Sequence, residues 1–128
     1  IRFAADPETR LPEMPAFGDI LQPDQIGQGA SFAASLSGLE ADPARVEAGR
    51  TLFAENCASC HGEAGKGNRE IEAPDLTDAI AVYVASEADI ERQVRAPRHG
   101  VMPAWQGRLG ETTGKELATY VHSLGGGE

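Results

Sequence analysis

The chain has 128 residues, 41% hydrophobic but only 5% aromatic, with 20 acidic against 11 basic residues and a net charge of −9. That length allows one ordinary domain, or a small domain with a substantial extension. The acidic balance argues against a nucleic-acid partner, because phosphate contacts need a basic surface, and favours a basic partner or simple solubility. No run approaches the roughly 20 apolar residues of a membrane-spanning helix. No secretory leader is visible and Ile1 is not an initiator residue, so the start reads as processed or cut.

Four of the eight prolines, Pro7, Pro12, Pro15 and Pro23, precede residue 24, and no helical or strand period survives there. Residues 24–37 are expected to be helical, with Asp24 as N-cap and Ile26, Ala30, Ala33 and Ser37 on one stripe. Gly27 and Gly29 weaken that helix by roughly 1 kcal/mol each. A sharper start follows at Asp42, a good N-cap, and Pro43, which suits the first helical position. Val46, Gly49, Arg50 and Phe53 then recur at helical spacing, beside Leu52, and run into Cys57. Residues 62–76 read as loop, punctuated by Gly62, Gly65, Gly67 and Pro74. Two short helices are expected near 77–85 and 87–95, the second with Ile90 and Val94 as its apolar pair. Pro97, Gly100 and Pro103 hold an extended loop around Met102. A last helix is predicted over 112–124, where Leu117, Tyr120, Val121 and Leu124 stand at i, i+3, i+4 and i+7, and Gly125-Gly126-Gly127 ends it. Gly49 with Phe53, and Leu117 with Tyr120, suit a crossing of two helices: glycine lets backbones approach and the aromatics fill the gap. No alternating segment of strand length stands out.

The chain also repeats itself without a gap. Residues 10–38 moved forward by 88 fall on 98–126 with 9 identities in 29 positions, where average composition gives roughly two. Arg10 meets Arg98, Met14-Pro15-Ala16 meets Met102-Pro103-Ala104, Leu21 meets Leu109, Ala30 meets Ala118, Ser35-Leu36 meets Ser123-Leu124, and Gly38 meets Gly126. Phe17/Trp105, Ser31/Thr119 and Phe32/Tyr120 are similar pairs.

The only two cysteines lie in Cys57-Ala58-Ser59-Cys60-His61. Two cysteines three apart with a histidine directly after the second form the attachment signal of a c-type haem. Each thiol adds across one vinyl group, and His61 reaches the iron as proximal ligand. A thioredoxin-like pair would want a βαβ setting, and zinc would want two further ligands at suitable spacing; neither pattern is present. Such haem attachment in bacteria takes place outside the cytoplasmic membrane, so an exported, periplasmic protein is expected. A large buried cofactor also explains how a chain so poor in aromatics fills its centre.

For the sixth ligand the candidates are Met14, Met102, His99 and His122. Met102 is preferred: its loop, Gly100 to Trp105, can cross the distal face, and a thioether favours ferrous iron. Under that assignment Met14 belongs to another haem, whose motif would lie about thirty residues before Ile1. Pro74 is expected to offer a carbonyl to the proximal imidazole N–H, Trp105 to pack near the haem edge, and Arg98 to pair with a propionate.

From Gly49 onward the chain resembles class I cytochromes c, through Gly49-x-x-x-Phe53, Cys57-x-x-Cys60-His61, Pro74-x-Leu76, Met102-Pro103 and Leu117-x-x-Tyr120. A closer resemblance is to the C-terminal haem domain of the dihaem c-type subunit of cbb-type haem–copper oxidases. It rests on Asn56 to Glu63, Lys66-Gly67-Asn68, Ala73 to Asp78 and Val101 to Trp105. Glu13 to Gly18 is similar to the distal loop of that subunit's first haem domain. The family's anchor and first attachment motif are missing, and its Trp-Leu-Tyr-Gly pattern is degraded at Ala81 to Val84. The resemblance implies an all-α cytochrome c fold with helices packed around one covalent haem c. Residues 42–126 would be the monohaem domain, and residues 1–41 the back half of a preceding domain plus linker. It further implies one-electron relay between a donor cytochrome and the catalytic subunit of a terminal oxidase in a respiratory chain, on the periplasmic side, within a parent tethered to the inner membrane. It does not imply that this chain reduces oxygen. The alternatives are a haem domain of another periplasmic oxidoreductase, a dehydrogenase or peroxidase, and a gas-binding haem sensor.

Overall fold

A computed structural model describes residues 13–79, 83–98, 100 and 102–125. Pro7 and Pro12, and the ligand candidate His99, lie outside them. Five α-helices follow one another: α1 Pro23–Leu36, α2 Pro43–Asn56, α3 Ala58–His61, α4 Glu87–Arg95 and α5 Gln106–Ser123. Short 3-10 turns stand at Phe17–Asp19 and Arg69–Ile71. Among the described residues the only β pairing is an isolated bridge between Asn68 and Ala73. The fold is all-α, as the sequence predicts.

The helices begin where local chemistry favours them. Asp42 caps α2 by accepting the Ala44 N–H at 2.9 Å, with Pro43 at the first helical position. Ser86 caps α4 by accepting the Asp89 N–H. α1 starts one residue before the expected position. Its cap is Gln22, in a reciprocal box with Gln25, while Asp24 instead accepts from the Gln28 amide at 2.8 Å. The expected helix over 77–85 is absent from residues 77–79 and 83–85. There Asp75 takes both the N–H and the hydroxyl of Thr77 at 2.7 Å, a local turn that competes with helix formation. α5 begins at Gln106 rather than 112, because a first turn precedes a kink at Gly110 (φ 76°, ψ 169°).

The described residues divide into two compact units, 13–98 and 100–125. In the first, α1 lies across α2 and α4. Ile26, Ala30 and Ala34 are fully buried, and Ala30 and Ala34 meet Ile90 of α4. Burying a side chain of the size of Ile26 stabilises by about 1.5–3 kcal/mol. α1 and α2 approach closely at Gly49, where a Cβ would overlap the Gln28 carbonyl oxygen and stand 2.9 Å from Phe32 Cβ. One turn further on, the Phe32 and Phe53 rings pack with centroids 5.0 Å apart at 52°. A partly buried polar link joins three helices: the Ser31 hydroxyl donates to Glu87 at 2.5 Å, and Glu87 pairs with Arg45 at 3.4 Å.

Gly49 and Phe53 receive Phe32, the repeat partner of Tyr120. On α5, Leu117 and Tyr120 are 39% and 62% exposed.

The two repeats agree in backbone detail. Leu21 N–H bonds Phe17 C=O and Leu109 N–H bonds Trp105 C=O, each at 2.9 Å. The Ser35 hydroxyl bonds Phe32 C=O and the Ser123 hydroxyl bonds Tyr120 C=O, each at 2.6 Å. Ser31 bonds Gly27 C=O at 2.9 Å and Thr119 bonds Lys115 C=O at 3.0 Å. All three pairs are offset by 88 residues.

Candidate haem-attachment site

α2 delivers the cysteine motif. The Cys57 N–H still bonds Phe53 C=O at 2.8 Å, after which the chain bends into the single turn of α3. Within it the Cys60 and His61 N–H groups both reach Cys57 C=O, at 3.1 and 2.9 Å. The two thiols and the imidazole therefore arise from one helical turn. Both thiols are free; Cys57 is half-buried and Cys60 exposed. Burial, with a smaller effect of Cys60, pushes the Cys57 thiol up to about 11. At neutral pH it is a protonated thiol, not a thiolate.

His61 is buried, and its Nδ1 stands 3.1 Å from the Pro74 carbonyl oxygen. A carbonyl can only accept, so Nδ1 carries a proton, and in the neutral ring Nε2 is then the nitrogen with the lone pair. The loop between them is closed by backbone bonds: Gly67 N–H to His61 C=O at 2.8 Å, Asn68 with Ala73 both ways at 2.9 Å, and Leu76 N–H to Gly65 C=O at 2.7 Å. Gly67 (φ 77°) makes this closure possible, since a Cβ would stand 2.5 Å from Ala73 O and 2.7 Å from Pro74 C. Lys66 fastens the outer side, donating to Thr77 Oγ1 at 2.6 Å with Asp75 at 3.8 Å. Those Thr77 hydrogen bonds, with Lys66 adding to them, hold the Asp75 carboxyl below its ordinary range. The closing roles of Gly67 and Lys66 went unread in the sequence; the signal available was Gly65-Lys66-Gly67, four residues after the histidine.

The structure thus brings Cys57, Cys60, His61 and Pro74 together. Arg98, just beyond α4, has an exposed side chain, and its backbone is held both ways by the Gln93 amide. Met102 and Trp105 belong to the other unit. Met102 is 47% exposed. Trp105 is half-buried with the Arg108 guanidinium 5.2 Å over its ring. His122 is exposed on α5, and Met14 is half-buried ahead of the first 3-10 turn.

The donor set fits a covalently held haem: two unpaired thiols on one turn, and an imidazole turned by its own hydrogen bond so that one nitrogen is free to ligate. With the all-α fold, this site marks a c-type cytochrome domain. Comparison with known proteins narrows the class. The family model described as cytochrome c oxidase, cbb3-type, subunit III matches residues 44–121, and the chain belongs to that family. It is 54% identical over 128 residues to the cbb3-type cytochrome c oxidase subunit FixP of Sinorhizobium medicae, covering all of this chain and 44% of that protein. It is 53% identical to the FixPc subunit of Rhizobium leguminosarum bv. viciae over 127 residues, 99% of this chain and 44% of that one. The CcoP subunit of Cereibacter sphaeroides is 46% identical over 130 residues, 100% of this chain and 45% of its own length. The chain spans a little under half the length of these relatives. Among the described residues no helix is long and apolar enough to cross a membrane.

Proposed function

We propose that this chain is an electron-transfer domain carrying one haem c, attached through Cys57 and Cys60 and ligated by His61 and Met102. Its partners are a donor cytochrome and the catalytic subunit of a haem–copper oxidase, on the periplasmic face of the membrane, to which the longer protein is tethered. The haem supplies one-electron redox chemistry between ferrous and ferric iron. Pro74 C=O would fix the tautomer and plane of His61 and raise its basicity. Met102, a soft thioether, would favour the ferrous state as the second ligand, with Trp105 packing near the haem edge and Arg98 pairing with a propionate. The chain is read as an electron relay and not as the oxygen-reducing part of the oxidase.

One observation carries this reading: the buried His61 ring, oriented by Pro74 C=O, directly follows two free thiols on the same helical turn. The test is the intact mass of the chain matured with its haem. One haem beyond the polypeptide mass is expected, and none would overturn the proposal. A peroxidase domain or a gas sensor would need an open or easily vacated sixth position; rapid carbon monoxide binding to the reduced chain at neutral pH would favour those and reject a methionine-ligated relay, while a haem domain of a dehydrogenase would be told apart by which partner it re-oxidises.

A further inference from the structure

The carbonyl that orients His61 belongs to a proline. Pro74 has no N–H, so it adds no donor to the backbone bonds around it. Its oxygen, 3.1 Å from His61 Nδ1, is placed by what its neighbours do. On one side Asn68 and Ala73 exchange backbone bonds at 2.9 Å, and on the other Leu76 N–H reaches Gly65 C=O at 2.7 Å. Between these bonds the Pro74–Asp75 peptide lies against Gly67, where a Cβ would stand 2.7 Å from Pro74 C and 2.8 Å from Asp75 N.

Lys66 sits between the two glycines that make these contacts, and its side chain reaches the residues that follow Pro74. The ammonium donates to Thr77 Oγ1 at 2.6 Å. That hydroxyl donates in turn to Asp75 Oδ1 at 2.7 Å, and the same oxygen accepts the Thr77 N–H at 2.7 Å. The other carboxylate oxygen stands 3.8 Å from the ammonium. Lys66, Thr77 and Asp75 thus form a closed set of polar contacts directly beside the Pro74 peptide. The Lys66 side chain is 68% exposed, and a contact of that kind adds little to global stability. Its effect is local: it ties residues 75–77 to the glycine segment that backs the Pro74 carbonyl.

We propose that Lys66 is a positioning residue for the His61 imidazole, acting through Thr77 and Asp75 to hold the Pro74 carbonyl on Nδ1. Its bearing on the iron rests on the reading that His61 ligates a haem.

The experiment uses the full chain matured with haem, its loading taken from the intact mass. Proton magnetic resonance of the reduced chain reads exchange of the His61 Nδ1 proton, with the α2 amides as internal reference. Lys66→Met keeps the apolar stem and removes the donor; Thr77→Val keeps the shape and removes the hydroxyl. Each is expected to speed Nδ1 exchange about fivefold, the local opening allowed by losing an exposed charged contact at the upper end of its range. The α2 amides should keep their rates. Lys66→Arg, which retains a donor, should hold the parent rate, and Lys66→Met/Thr77→Val should exchange no faster than the faster single variant. In the loaded chain Thr77→Val, which leaves the charge unchanged, should also raise the reduction potential, because a looser imidazole donates less to ferric iron. Parent exchange rates in either single variant, additive effects in the double variant, or an unmoved potential would overturn the proposal. So would faster α2 amides, or Lys66→Arg exchanging as fast as Lys66→Met, since the role would then be general stability. A chain without haem mass would overturn the haem reading instead, and the exchange rates would still decide the role of Lys66.

Discussion

Helices α1 and α5 are repeats in sequence and in backbone hydrogen bonding, yet they differ in surroundings. In α1, Ile26, Ala30, Phe32 and Ala34 are buried. In α5, Tyr120, Val121 and Leu124 are 62%, 58% and 67% exposed. The sequences part where α1 meets its neighbours. Fully buried Ile26 corresponds to Gly114, and Gly27, beneath the Arg45 guanidinium, corresponds to Lys115. Local chemistry therefore writes the same side-chain bonds twice but not the same start: Gln22 boxes with Gln25 ahead of α1, and its counterpart Gly110 is a kink inside α5. Most of a helix's stability in a folded protein comes from packing and little from its own propensity.

Paired substitutions break this comparison. Phe32→Ala should cost about 4 kcal/mol, since it empties a buried aromatic site. Tyr120→Ala should stay within about 0.5 kcal/mol, as expected for an exposed residue. Urea denaturation of both variants, followed by circular dichroism, measures the contrast; equal losses would show that α5 is packed as α1 is. Next comes Gly49→Ala against Gly114→Ala. The first overpacks the α1–α2 crossing and should cost about 3 kcal/mol. The second enters open space in a helix interior, where nothing lies within 4 Å of the added Cβ, and should stabilise by about 0.5–1 kcal/mol. Thermal melts of the two decide it by the sign of the shift.

A further effect is pH-dependent and concerns the chain with free thiols. An ordinary Cys57 thiol ionises near 9.0, whereas in the folded chain it holds its proton to about 11. Above pH 9 the unfolded chain releases that proton first, so folding stability is complete below about pH 9 and declines as pH rises toward 11. Alkaline titration followed by hydrogen exchange should loosen the α1–α2 unit over that window and leave α5 unchanged. A Cys57→Ala variant should lack the decline.

Much of this was legible in the residues. The α2 start is written in Asp42-Pro43, α4 in its apolar pair, and the site in Cys57-x-x-Cys60-His61, because capping and attachment chemistry are local. Where the reading failed, the competing term was also identifiable. Residues 77–85 look helical until Asp75 is seen to bind Thr77, and the early start of α5 is hidden by the kink at Gly110. The contact of Gly49 with Phe32 was not read from the sequence, because it depends on how α1 is seated on α2. The closure at Gly67 depends on how near residue 73 returns, which no local pattern states.

That closure bears on which side of the iron can change. His61 is tied at Nδ1 by Pro74, and its loop is fastened by backbone bonds at Gly65, Gly67, Asn68 and Ala73. Detaching the imidazole would require opening the whole loop at once. In the proposed haem site, ligand exchange, inhibition or damage would therefore be channelled to the face away from His61, which would be the site's fixed wall.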